Sequence, residues 1–424
     1  MSTWGRSILG LLVVVAVLAL VAASLAADLL AADPPLSVLL LALDVRVLLA
    51  VAVAIFAAAL ALYLYYLRGE DPTRLVHAGR EVEALVPVYG DSEVMHRSVE
   101  GLVGSDYEDL AVTIVPEPDD SASLSRAREL ATDHPEVRCL VNEARQGSKA
   151  GALNTAIEQS EADVIAMFDA DQEPHPKLVS HAVAHLADHD VARVRSLPSP
   201  AGGLIESEAY YEYLLLFFLP QKLAKALLGL EVVGTRSVLV ERAVFETVGP
   251  FDEATLTEDM DFTHRCHQAG VSVRELLYYP CFEQPAHTLG DWWWQRVRWM
   301  TGHAEVGHSQ LRHWQGGFDA DVFGSALTLA GTFAAGAVLS TTAPKLVLAG
   351  LASPGPVLAG LAALYGVALA TRAVDNRTAG MDGYGIAWLL IPAFLSLYGL
   401  VVVQALAGYA LGRGGEWYRA EKKV

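Results

Sequence analysis

Apolar runs long enough to cross a bilayer stand near both ends of the chain, and between Arg68 and Arg312 none occurs. A span needs about 20 predominantly apolar residues. Residues 8–27 form one such run without a charge, and residues 47–66 a second, closing on Tyr63, Tyr65 and Tyr66 before Arg68. An aromatic belt with a basic flank marks a membrane interface. A second run so soon after the first, with no convincing cleavage site between, predicts an anchor rather than a signal peptide. Three further runs follow at about 322–340, 346–370 and 386–411. The second of these contains Ser353-Pro354-Gly355-Pro356, which predicts a broken or re-entrant segment. The expected organisation is two transmembrane helices in residues 1–67, a domain over 68–318, and about three further helices with a short basic tail in 319–424.

The middle of the chain alternates in period. Short apolar runs at 83–89, 110–115, 137–141 and 164–168 read as strands, and 93–103, 121–133 and 151–158 read as helices between them. Such alternation implies an α/β domain: a Rossmann-like, mostly parallel sheet with helices on both faces. Ligands in such sheets bind beyond the carboxyl ends of the strands. Residues 210–219 (YYEYLLLFFL) fit either an interfacial or a core helix.

Charge sharpens this picture. The formal net charge is −19, and the residues outside 68–318 are neutral in sum, so the whole excess of acid falls on the middle domain. That excludes nucleic acid as a natural partner. An acid-rich, lysine-poor composition also suits a cytoplasm of high salt. Arg68, Arg74 and Arg80 follow the second run, and Arg296, Arg298 and Arg312 precede the third. Both sets favour a cytoplasmic domain on an integral membrane protein. The basic tail, 413–423, belongs on the same side by the same rule, yet three simple spans would place it opposite. Cys139, Cys266 and Cys281 show no CxxC spacing, which excludes a zinc ribbon or a disulfide framework. His303, His308 and His313 recur every five residues, a step that does not gather them on one helix face.

Candidate chemistry sits where strands end. Asp169-Ala170-Asp171 follows the fourth strand. Alternate strand residues share a face, so the two carboxylates leave the sheet together and suit a divalent cation carrying phosphates; the plainer reading is a solvated loop. Thr257-Glu258-Asp259 precedes a helix at 260–269. It is either a capping cluster at the positive helix end or a carboxylate held as general base. Lys149, in Gly147-Ser148-Lys149-Ala150-Gly151, lies where a loop enters a helix, and such a helix start can receive a phosphate. The stretch DWWWQRVRWM (291–300) places Gln295, Arg298 and Trp299 on one helix face. Trp292, Trp293 and Trp294 fall on other faces, for contact with membrane lipid or for packing under the domain.

In order along the chain, VPVYG (86–90), GSKAGALN (147–154), DAD (169–171), TED (257–259) and QRVRW (295–299) resemble the motifs of a family 2 glycosyltransferase of the membrane-embedded type that includes hyaluronan, chitin and cellulose synthases. The resemblance covers roughly residues 80–305. It implies a GT-A fold, a nucleotide-sugar donor, usually a uridine diphosphate sugar, and a glycan or lipid-linked acceptor. By the same resemblance Pro87 and Tyr89 line the base pocket, Asp119 or Asp120 meets uracil, and Lys149 meets ribose or phosphate. Asp169 lies near the donor and Asp171 binds Mg2+ or Mn2+. Asp259 is the base, with Glu258 beside it; Gln295 and Trp299 face the acceptor, and Arg298 the diphosphate. The chain departs from the family pattern at Gly90-Asp91, where Asn-Glu is usual, and at Pro116-Glu117-Pro118, which precede the acidic pair. One base and one displacement imply inversion at the anomeric carbon. The competing expectation is a non-catalytic sugar-binding or transport-associated membrane protein. Against transport, the apolar runs lack internal repeats and charge.

Overall fold

The structure, a computed structural model, describes residues 44–199, 203–313, 320–412 and 422. The run at 8–27 and the basic tail apart from Lys422 lie outside the described residues. Those described fall into two compact units. One takes them from Gly69–Ala201, Glu231–Gly317 and Gly414–Val424, the other from Met1–Arg68, Gly202–Leu230 and Phe318–Arg413.

The first unit is built on a sheet of eight strands: β1 (Val82–Val88), β2 (Leu110–Pro116), β3 (Val137–Cys139), β4 (Val164–Met167), β5 (Glu173–Pro174), β6 (Val191–Pro198), β7 (Val238–Glu241) and β8 (Val273–Glu283). The spatial order is β3-β2-β1-β4-β7-β6-β8-β5. The four strands legible in the sequence are mutually parallel. The other half is mixed: β7 runs antiparallel to both β4 and β6, β8 parallel to β6, and β5 antiparallel to β8.

Seven helices accompany the sheet: α1 (Met95–Val103), α2 (Ser121–Asp133), α3 (Lys149–Gln159), α4 (Leu178–Leu186), α5 (Arg242–Val248), α6 (Glu258–Gln268) and α7 (Leu289–His313). Both faces of the sheet are covered, and its central parallel strands are accordingly apolar apart from Glu83 of β1 and Thr113 of β2, which bond each other. Val82, Ala84, Val86 and Val88 of β1 join Val99 and Leu102 of α1 and Leu178 and Ala182 of α4 in one core. Leu85 points the other way, to a second core with Leu153 and Ala156 of α3 and Ile165 and Met167 of β4. Each Val, Leu, Ile or Met side chain among them, fully buried, contributes about 1.5–3 kcal/mol.

His264 of α6 is fully buried, and neither ring nitrogen has a hydrogen-bond partner. Burial first, then His303 and His267, lowers its pKa from 6.5 to about 4. The unfolded chain therefore takes up a proton that the folded chain refuses. Stability is complete above pH 6.5 and falls as pH drops towards 4. His264→Leu is expected to recover roughly 3 kcal/mol of that loss near pH 4. Melting curves of the detergent-solubilised chain between pH 4 and 7.5 check this; curves with the same acid slope for both proteins contradict it.

The second unit is helical. Val45–Arg68, Pro354–Thr378 and Ala387–Ala410 are long and apolar enough to cross a membrane. Leu329–Leu339 and Thr342–Ala352, bent by 49°, make a fourth if they form one broken span. The run expected at 346–370 is thus two helices, parted at Ser353. Proline disfavours helix in the residue before it and suits the first turn of the helix it opens, so the break falls at Ser353-Pro354. Glycines let helix backbones approach here. A Cβ on Gly399 would lie 2.1 Å from the Ser340 nitrogen, and one on Gly336 2.5 Å from Val402. The stretch 210–219 belongs to this unit as part of Leu204–Glu212, a π-helix at Tyr213–Phe218 and Leu219–Leu228. Its Tyr210, Tyr211, Leu214 and Phe218 are buried, which favours the core reading.

Candidate active site

Parallel register brings three strand ends to one edge of the sheet. Val88 of β1 pairs with Pro116 of β2, and Leu85 of β1 with Met167 of β4. Beyond β1 come Tyr89, Gly90 and Asp91; beyond β2, Glu117; beyond β4, Asp169 to Asp171. Pro87, next to last in β1, is half-buried, and Tyr89 is 44% exposed. Asp120 accepts from the Ser123 N–H at 3.2 Å and from the Gly90 N–H, tying the start of α2 to the β1 loop. Asp119 is exposed. Glu117, in contrast, is buried and accepts from Asn142 Nδ2 at 2.7 Å and from the Gly147 N–H at 3.1 Å. The acid held at this strand end is Glu117, between Pro116 and Pro118, and not Asp119.

Lys149 enters on the first turn of α3. Ser148 caps that helix by accepting from the Gly151 N–H at 3.0 Å. A Cβ on Gly151 would fall 2.1 Å from the Arg145 carbonyl oxygen, so only glycine fits where the loop folds back on the helix. From there Lys149 Nζ donates to Asp169 and, at 3.1 Å, to the Thr235 carbonyl. The Thr235 hydroxyl donates to Glu258 at 3.1 Å. One chain of polar contacts thus links DAD to TED, 89 positions apart between Asp169 and Glu258 by residue number. Burial favours the neutral forms here, and charge decides the outcome. Burial would lower Lys149, but Asp169 and Glu258 leave it raised. Burial would raise Asp169, but Lys149 and Arg236 leave it lowered. Glu258 is raised, by burial and then by Asp259, with Lys149 opposing.

Asp259 stands in the first turn of α6, where its carboxylate accepts from the Met260 N–H at 2.8 Å. That N–H also bonds the Thr257 carbonyl at 3.1 Å, so the contact holds the carboxylate in place without capping a free N–H. The Thr257 hydroxyl makes no cap bond and has no partner. Thr257 is instead pressed by α7: a Cβ on Gly302 would sit 2.5 Å from its methyl group. Gly302→Ala is therefore expected to push the TED loop off position and slow turnover about tenfold, since small misplacements near the chemistry are costly. Adding Thr257→Ala should restore most of the rate by vacating that volume. Additive losses in the double variant would contradict this reading of the contact.

Arg298 of α7 donates to the Leu256 carbonyl at 3.4 Å, within the electrostatic reach of Glu258, Asp259 and Asp169. Burial lowers its pKa and those three acids oppose the shift; a guanidinium stays charged regardless. Gln295 accepts from Arg296, and the Arg296 guanidinium lies over the Trp299 ring, 4.4 Å from its centroid. Trp292 is buried, packing under the domain, whereas Trp294 is 48% exposed.

Asp171 is buried and faces Asp91 across one positive charge: Lys422 Nζ lies 3.0 Å from Asp171 and 3.3 Å from Asp91. Beside them Gln172 donates to Glu283 at 3.4 Å, and Arg236 donates to the same carboxylate at 2.8 Å. Among the described residues no group of three or more His, Cys, Asp or Glu is arranged to hold a metal ion. The pair Asp171 and Asp91 nevertheless offers two hard oxygen donors converging on one cation, which suits Mg2+ or Mn2+ completed by phosphate and water. Asp91, Glu117, Arg236, Glu283 and Lys422 were not legible as site residues. Each arrives through pairing distant in sequence, and only the acidic departure at Gly90-Asp91 offered a signal.

The family model described as "Glycosyltransferase like family 2" matches residues 79–302. A beta-monoglucosyldiacylglycerol synthase of Trichormus variabilis is 26% identical over 227 residues, 52% of this chain and 48% of that protein. A poly-beta-1,6-N-acetyl-D-glucosamine synthase of Staphylococcus aureus is 25% identical over 230 residues, 52% of this chain and 54% of that protein. The chain spans about half the length of these curated relatives. A mannosyltransferase from Pyrobaculum calidifontis, solved in complex with GDP-Man and Mn2+, is similar with a TM-score of 0.53 over 86% of this chain and 99% of that one, at 20% identity. That likeness is one of fold, and the sheet described above is a GT-A sheet.

Proposed function

Because the chain belongs to the glycosyltransferase like family 2, we propose that it moves a sugar from a nucleotide diphosphate sugar, in first place a UDP-sugar, to a lipid-linked or polysaccharide acceptor at a membrane. The observation that carries this is the contact chain Asp169–Lys149–Thr235–Glu258, with Arg298 within electrostatic reach, at the carboxyl edge of a parallel sheet. It combines acid for a proton and fixed positive charge for a departing diphosphate.

Each residue then has a task. Pro87 and Tyr89 border the nucleobase, and Glu117 takes the place the resemblance gave to Asp119. Lys149 and Arg298 meet the diphosphate with positive charge that needs no rearrangement as the bond breaks. Asp171, with Asp91, would hold Mg2+ or Mn2+; bound there, the ion neutralises charge on the leaving group. Asp259 takes the proton from an acceptor hydroxyl as that oxygen attacks the anomeric carbon, with inversion. Glu258, pinned by Thr235 and pushed towards its neutral form, leaves Asp259 as the base. Gln295 and Trp299 border the acceptor. The apolar helices cross the membrane, and the arginines at their ends favour a cytoplasmic sheet.

The test is transfer from a panel of radiolabelled nucleotide sugars in membranes carrying the full chain, at high salt with Mg2+ or Mn2+. Label in lipid or polymer is the expected result, and product size separates one transfer from many. Absence of transfer from every donor, by folded protein, would turn the reading towards a sugar-binding protein.

A further inference from the structure

The ammonium of Lys422 occupies the place that the proposed function gives to a divalent ion. Its nitrogen lies 3.0 Å from Asp171 Oδ1 and 3.3 Å from Asp91 Oδ1. The three side chains are largely withdrawn from water, with 24% of Lys422, 10% of Asp171 and 11% of Asp91 exposed. Asp91 follows β1 and Asp171 follows β4, so two neighbouring strands supply the two carboxylates. Lys422 comes from beyond the last apolar helix in the sequence.

We propose that Lys422 is a tethered cation that fills the divalent-ion subsite and holds the enzyme in a self-blocked state until a divalent ion displaces it. This rests on the assignment of Asp171 as a cation ligand. The physical argument is one of exclusion. A Mg2+ ion binds carboxylate oxygens at about 2.0–2.1 Å, and an ammonium on the same oxygen would sit next to it, unscreened. Either cation satisfies the two acids, and the pair cannot hold both at once. Lysine suits the part: it is a compact charge on a flexible stem that can withdraw.

The test is Mn2+ binding to the detergent-solubilised full chain without any donor, read as loss of the free-ion signal in electron paramagnetic resonance. Wild type, Lys422→Ala, Lys422→Arg and Asp171→Asn are compared at low ionic strength. Removing the tethered charge is expected to tighten Mn2+ binding roughly fivefold, the upper range of a partly exposed ion pair. Lys422→Arg should stay near wild type, and added salt should shrink the difference. Equal affinity in wild type and Lys422→Ala, both tighter than Asp171→Asn, would overturn the block while leaving the cation subsite standing. Weaker binding in Lys422→Ala would also overturn it, by showing that the lysine supports the site. Binding in no protein above the Asp171→Asn level would overturn the cation assignment itself and the inference with it.

Discussion

Transfer by Asp259→Asn is expected to fall by about a thousandfold, with donor binding little changed. Asparagine keeps the shape of the side chain and its oxygen can still accept from the Met260 N–H, 2.8 Å away in the wild type. It cannot take a proton. General base catalysis is worth roughly 10²- to 10⁴-fold, and this loss should appear in the rate at saturation rather than in the donor KM. The contrast with Glu258 makes the prediction specific. Glu258 is held by Thr235 and is raised by burial and then by Asp259, so Glu258→Gln should cost far less. Single-turnover transfer by the three proteins, with donor binding measured alongside, checks this. Equal losses in the two variants, or a loss confined to KM, would contradict the assignment.

Asp171→Asn is expected to slow transfer about a hundredfold and to raise the Mn2+ or Mg2+ concentration needed for half-maximal rate. Asp171 is one of two acids converging on a single cation, and the amide removes its charge with almost no change in volume. A bound ion supplies several kcal/mol to a leaving diphosphate, and losing part of that reaches the expected factor. Asp169→Asn should behave differently, because Asp169 partners Lys149. Its loss frees the lysine rather than the subsite, so the metal requirement should move little. Metal titrations of both variants separate the two acids; an unchanged metal midpoint in Asp171→Asn would remove it from the cation subsite.

The parallel half of the sheet was legible because its strands are buried on both faces and therefore read as largely apolar runs, broken only by Glu83, Thr113 and Arg138. The mixed half was not. β5 has two residues, and β8 carries Pro280 and a residue of positive φ, Tyr279, with a register shift against β6. No alternation survives such a strand, so pattern reading skips it. The break at Pro354 was legible for the opposite reason, since proline acts locally.

The site divides along the same line. Asp169, Asp171, Lys149, Glu258 and Asp259 lie in short motifs at element ends, where local chemistry stands out against an apolar strand or a helix start. Glu117 stands between two prolines that mask it in the sequence, whereas the more conspicuous pair Asp119 and Asp120 includes an exposed Asp119. Arg236, Glu283 and Lys422 are single charges whose place depends wholly on tertiary pairing. Ser237, at φ 49°, shows how tightly the loop after Thr235 is bent to deliver Arg236 to Glu283, and nothing in its sequence announces that.

The central claim is one direct displacement, with Asp259 removing the acceptor's proton. Its most direct test is the anomeric configuration of the product, read from the coupling of the anomeric proton by nuclear magnetic resonance. An α-linked nucleotide sugar should give a β-linked product. An α-linked product would mean retention, and would contradict a mechanism with one base and one displacement.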